Sequence, residues 1–277
     1  MTSTVDAAAP PANPVTALAP LLRGLTCGLI GFAIGAGITS LIRSATGHTA
    51  WSLEMNLVIG YALGLPGWLF GVGVWERWGR EWFGLPIKAE EPTGLRRFLA
   101  FSFDHKVIGI QYLTTFLILF LAAGLFAMLI RVQLLQPENP VFNDGMYNRI
   151  MSMHGIIMIA VAVASVIGGF GNYFIPIMIG AKDVAFPRLN ALTFWLVPPV
   201  AVLLLSAQAA GGWDSGWTAY PPLSIRNAAG QTFFSLAIIT FGLSSILGGL
   251  NFLVTIIHLR APGMTWGRLP MGHRLRS

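Results

Sequence analysis

The sequence predicts an all-α, polytopic membrane helical bundle of about six transmembrane helices, and three observations predict it. Hydrophobic residues make up 55% of the 277 and charged residues 10%, too few charges to cover a soluble domain around a single core. The mean hydropathy is +0.68. The apolar residues also gather into six long runs separated by polar, Trp- and Arg-bearing stretches, the pattern of helices that cross a bilayer and return. In such a chain the net charge of +6 speaks of membrane orientation, not of a nucleic-acid partner. The single cysteine, Cys27, excludes an intrachain disulfide and a thiolate metal cluster.

Residues 1–20, rich in Ala, Pro and Thr without the basic start of a signal peptide, read as a disordered N-terminal tail. The first two spans, about Leu22–Ile42 and Leu53–Val74, carry Gly24, Gly28, Gly31 and Gly35 against Gly60, Gly64, Gly67 and Gly71. This small-xxx-small spacing lets two helix backbones approach closely in lipid. A polar connection with Trp75, Trp78 and Trp82 follows, placing aromatic rings where an interface would hold them. The third span is about Val107–Ile130, the fifth about Leu192–Ala209, short and interrupted at Pro198-Pro199, and the sixth about Phe234–Ile257. The fourth organises the rest. From Ile156 to Ile179 it has 24 residues without a charge, roughly 36 Å of helix at about 1.5 Å per residue, enough for a hydrocarbon core of about 30 Å.

Six spans put both termini on one side. Thirteen Lys and Arg residues (Arg23, Arg77, Arg80, Lys88, Arg96, Arg97, Lys106, Lys182, Arg188, Arg260, Arg268, Arg274 and Arg276) share that side, against four (Arg43, Arg131, Arg149 and Arg226) on the other. The positive-inside rule makes the termini and Asp183 cytoplasmic and sets His154 near the outer face.

Few groups in these spans carry chemistry. His154 reads either as a satisfied interfacial imidazole or as a metal ligand, and in an apolar helix bundle the natural metal is haem iron. Arg131 either snorkels to the interface or hydrogen-bonds a cofactor. Asp183 has Asn172 eleven residues before it and Asn190 seven after, amides that need partners and that can line a water-filled path. Ser244, Ser245 and Asn251 add polar groups to the last span, where bonding within the bundle is the alternative. Gly168-Gly169-Phe170-Gly171-Asn172 lies inside a span with no preceding strand and is no nucleotide loop. His48, His105, His258 and His273 fall in loops or at cytoplasmic ends without a close His-His pair, and read as structural.

The segments MHGIIMI, GGFGNYFIPIMIGAKDVAFPRLNALTFWLVPP, SGWTAYPPLS and SSILGGLNFLVTIIHLRAPGM resemble subunit I of the haem-copper terminal oxidases, over residues 103–264. The resemblance implies the N-terminal half of a twelve-helix fold, part of an aa3-like cytochrome c oxidase that reduces oxygen to water and pumps protons. It implies that His154 is the axial ligand of the low-spin haem a, with Arg131 at that haem's periphery and Trp217 and Tyr220 in the loop over its propionates. Asp183, Asn172 and Asn190 then match the mouth of the D-type proton path, and Ser244, Ser245 and Asn251 groups farther along it. The implied partners are other oxidase subunits, membrane lipid, and cytochrome c through a copper-bearing subunit, in a bacterial-type plasma membrane.

Against the family pattern, residues 21–102 form an added hairpin and cytoplasmic connection, and residues 265–277 an atypical basic tail. The high-spin haem ligand, the copper B histidines and the second low-spin ligand are expected beyond the matched region, on a complementary C-terminal half. The junction after Met264 resembles a split gene, a frameshift or a premature end. A quinol oxidase, a non-catalytic assembly subunit and a secondary transporter are the competing readings, the last disfavoured because no inverted repeat is visible.

Overall fold

The computed structural model describes residues 14–86, 94–135, 141–226 and 228–269. In chain order its α-helices are α1 (Pro14–Ala45), α2 (Leu53–Val72), α3 (Val74–Trp82), α4 (Arg96–Leu99), α5 (His105–Gln133), α6 (Asp144–Ile156), α7 (Val163–Ile179), α8 (Pro187–Ala209) and α9 (Ala228–His258). A π-helical segment, Ile157–Ala162, joins α6 to α7 into one span. With α1, α2, α5, α8 and α9 this makes six helices long and apolar enough to cross a membrane.

Two expected boundaries move. The tail expected over 1–20 is cut short, because α1 begins at Pro14. Proline suits the first helical position, where its missing N–H has no partner to lose, and Ala17 is already buried. Residues 1–13 lie outside the described residues, as do Lys88, His273, Arg274 and Arg276. The fifth span is not interrupted at Pro198-Pro199, since α8 runs through both prolines. Pro199 has no N–H for the carbonyl of Trp195, four residues back. The indole Nε1 of Trp68 on α2 donates to that carbonyl at 2.9 Å, so this acceptor keeps a partner.

The α1–α2 hairpin is built on its glycines. A Cβ on Gly31 would stand 2.5 Å from the carbonyl oxygen of Leu63, and one on Gly35 2.5 Å from that of Ile59. On the facing helix, Gly67 and Gly71 meet the carbonyls of Cys27 and Arg23 at the same distance. Only hydrogen fits there. The hairpin docks through Trp68 and through Tyr61, whose hydroxyl lies 2.6 Å from Thr240 Oγ1 on α9.

Helix α8 forms the centre, with Trp195, Leu196, Val200 and Leu204 almost fully buried. α5 starts at Asp104, whose Oδ1 accepts the amides of Lys106 and Val107, an N-cap. Leu121 and Leu125 on α5 and Ile239 and Ile246 on α9 are exposed. In water that would be an aggregation surface, whereas in lipid it is solvated.

Candidate functional site

The first cluster sits where α5 and α6 meet. Asn143 caps α6, its side-chain oxygen accepting the Met146 amide at 2.8 Å. About three turns on, His154 places Nδ1 2.9 Å from the carbonyl of Ala123 on α5. A carbonyl oxygen only accepts, so Nδ1 carries a proton and donates it, and Nε2 is the ring nitrogen available to a metal. A backbone bond of this kind fixes the tautomer and ring angle of metal-binding imidazoles. The π-helical segment begins three residues later, and such bulges concentrate at functional sites.

Arg131 lies eight residues beyond Ala123, about 12 Å farther along α5, and is exposed in its last turn. The loop after α8 comes to the same end. The Gly216 amide donates to Ser152 Oγ at 3.1 Å, two residues from His154, while Trp213 Nε1 donates to the Gly216 carbonyl at 3.0 Å. From this anchored point Trp217 and Tyr220 project 61% and 72% exposed. Sequence reasoning grouped His154, Arg131, Trp217 and Tyr220, and the fold carries them toward one end of the bundle.

The second cluster lines a cavity of about 230 Å³ among α5, α7, α8 and α9, walled by Tyr112, Ser165, Asn172, Thr193, Ser244 and Ser245. Tyr112 donates to Thr193 Oγ1 at 3.1 Å, and Thr193 donates to the Asn190 carbonyl at 2.7 Å. Ser244 donates to the Thr193 carbonyl at 2.8 Å, whereas Ser245 sits on the exposed rim. The Asn172 side-chain oxygen and both ends of the Asn190 amide are buried without a partner among the described residues. Buried polar atoms of this kind hold ordered water, and the cavity has room for several molecules. Asn251 stands apart. Its amide clamps Phe186, Oδ1 accepting the backbone N–H at 2.9 Å and Nδ2 donating to the carbonyl at 3.3 Å, which ties the loop before α8 to α9.

Asp183 lies in the turn between α7 and α8, half-buried, its Oδ1 accepting the Val184 amide at 2.7 Å. Burial raises its carboxyl above the ordinary 3.8, while the Val184 amide and the nearby His105 imidazole pull it back and Asp104 adds to the rise. The carboxylate faces a vestibule of about 880 Å³ that Glu81 and Arg188 also line. His105 connects this turn to the inner cavity. It is buried, and its Nδ1 donates to the Asn172 carbonyl at 2.7 Å. Pro176, four residues after Asn172, lacks the N–H that would have bonded that carbonyl.

Residues 107–273 match the family model described as Cytochrome C and Quinol oxidase polypeptide I. The chain belongs to this family. It is 50% identical over 176 residues to cytochrome c oxidase subunit 1 of Thermostichus vulcanus, covering 63% of this chain and 32% of the relative. To cytochrome c oxidase subunit 1 of Bacillus subtilis it is 45% identical over 170 residues, 61% of this chain and 27% of that one. To the heme-copper oxidase subunit I+III of Aeropyrum pernix it is 42% identical over 188 residues, 64% and 23%. The matched stretch thus amounts to a third or less of the length of these relatives.

All ten residues singled out from the sequence lie within the oxidase-family match, which extends nine residues past the boundary expected at 264. Helices α1 to α3 lie outside it. Sequence reasoning read His105 as structural without finding its bond to the Asn172 carbonyl, and it missed the two hydroxyls Tyr112 and Thr193. The available signals were Pro176 four residues after Asn172, a carbonyl needing a new donor, and Thr193 one helical turn after Asn190.

Proposed function

We propose that this chain supplies a haem ligand and the proton intake of a haem-copper oxidase that reduces oxygen to water with electrons from cytochrome c and pumps protons. The single observation that carries the reading is the His154 imidazole anchored through Nδ1 to the Ala123 carbonyl, which leaves Nε2 as the ring nitrogen that would bind iron. The residues fit a haem: one imidazole nitrogen, a guanidinium on Arg131 toward the same end, and the apolar walls of a bundle. A bound low-spin haem a would supply one-electron transfer. His154 would hold and orient its iron, and Arg131, Trp217 and Tyr220 its polar edge. Cytochrome c is the donor in this reading because the similar subunits from Thermostichus vulcanus and Bacillus subtilis are named for it. The other metal ligands belong to a complementary C-terminal portion within a complex of several subunits.

Asp183 is the proton-collecting carboxylate on the cytoplasmic side of a plasma membrane, with both termini on that side. Its burial raises the affinity of the carboxyl for a proton, which favours capture from water. Asn172 through its unpartnered side-chain oxygen and Asn190 through both ends of its amide then hold water, and Tyr112, Thr193 and Ser244 continue the hydroxyl chain inward. The decisive test is His154→Ala in the assembled oxidase. A bis-histidine low-spin haem spectrum is expected from the native complex and its loss from the variant, and a variant that keeps the spectrum overturns the ligand assignment.

A further inference from the structure

We propose that α3 is a lid over the vestibule in front of Asp183, and that Glu81, through its ion pair with Arg188, is the positioning residue that holds it closed. The inference rests on the reading of Asp183 as proton intake. It concerns a helix outside the family match at 107–273, contributed by the added hairpin.

Three observations carry it. The vestibule has two walls: Trp78, Glu81 and Trp82 come from α3, and Asp183, Ala185 and Arg188 from the turn before α8 and its first residues. Glu81 on one wall is ion-paired to Arg188 on the other, with 22% of its side chain exposed. The pair borders the same space as Asp183. Second, α3 is a nine-residue helix with Trp75, Trp78 and Trp82 on one side, adjacent rings 5.4 and 6.3 Å apart. The row runs from the core to the open, with Trp78 against buried residues and Trp82 70% exposed. The Trp78 indole N–H is buried without a partner among the described residues, so this contact is incompletely satisfied and cheaper to open than a finished core. Third, α3 follows α2 with Gly73 alone between them, at φ 99°. Glycine at positive φ turns the chain sharply and absorbs rotation that another residue would resist.

The test uses the assembled oxidase in inverted membrane vesicles, with Cys27→Ala removing the native thiol and Ala185→Cys placing a reporter on the vestibule wall. A membrane-impermeant maleimide reads lid opening directly, without turnover. Glu81→Gln and Arg188→Gln are each expected to raise the labelling rate about fivefold, the scale set by one partly exposed ion pair. The charge swap Glu81→Arg with Arg188→Glu is expected to return it to the native rate, as a pair requires. Equal labelling in the native protein and Glu81→Gln overturns the lid. So does faster labelling that the swap fails to reverse, since Glu81 would then be merely structural. Asp183→Asn separates the two readings: unchanged turnover in that variant refutes proton intake at Asp183, while the labelling result still decides the lid.

Discussion

The α1–α2 hairpin and the α5–α9 core are both apolar enough to cross a membrane, yet they solve opposite packing problems. In the hairpin the two backbones touch, and at four seam glycines, Gly31, Gly35, Gly67 and Gly71, an added Cβ would meet a carbonyl oxygen at 2.5 Å. The core instead leaves a polar cavity of about 230 Å³ among α5, α7, α8 and α9. The difference teaches where chemistry can live. A seam with no room for a methyl group excludes water, whereas a cavity lined by hydroxyls and the unpartnered Asn172 oxygen invites it.

Breaking the seam should have the largest effect. Gly35→Leu forces a side chain into the Ile59 carbonyl and is expected to destabilise the folded chain in detergent by about 3 kcal/mol. Gly37→Leu, which meets nothing within 4 Å, should leave the melting temperature unchanged and so serve as the control. Next in size come the carbonyls that prolines leave free in the core, one bonded from within it and one from the hairpin. His105→Leu removes the donor to Asn172, and Trp68→Phe the donor to Trp195. Each should lower stability by about 1–3 kcal/mol, the scale of a buried acceptor left unpaired. His105→Gln, which keeps a donor, should recover part of the loss in the same thermal melt.

The smallest effect belongs to Asp183. Its carboxyl is raised above 3.8, so the fold binds a proton more tightly than the unfolded chain does. That contribution is full below 3.8 and lost as pH rises through the raised value. Asp183→Asn should therefore match the native melting temperature in acid and exceed it slightly toward neutral pH. A variant less stable than the native chain at neutral pH would show that the Val184 and His105 contacts outweigh burial.

The sequence by itself determined the six spans, because twenty or so apolar residues have no other stable use than crossing a bilayer. It also determined the glycine seam, since the spacing Gly24-Gly28-Gly31-Gly35 already names one helix face. His154, Asp183 and the amides were legible as rare polar groups in apolar surroundings, with their roles supplied by family resemblance. Only the tertiary structure decided what each polar group bonds. Asn251 and Asn172 look alike in sequence, but one spends both ends of its amide on Phe186 and the other leaves an oxygen facing the cavity side of α7. His105 looked idle until α5 and α7 packed and brought it to a carbonyl that Pro176 had freed, 67 residues away in the chain. A hydrogen bond over such a separation is set by which helix faces meet, and local sequence does not encode that.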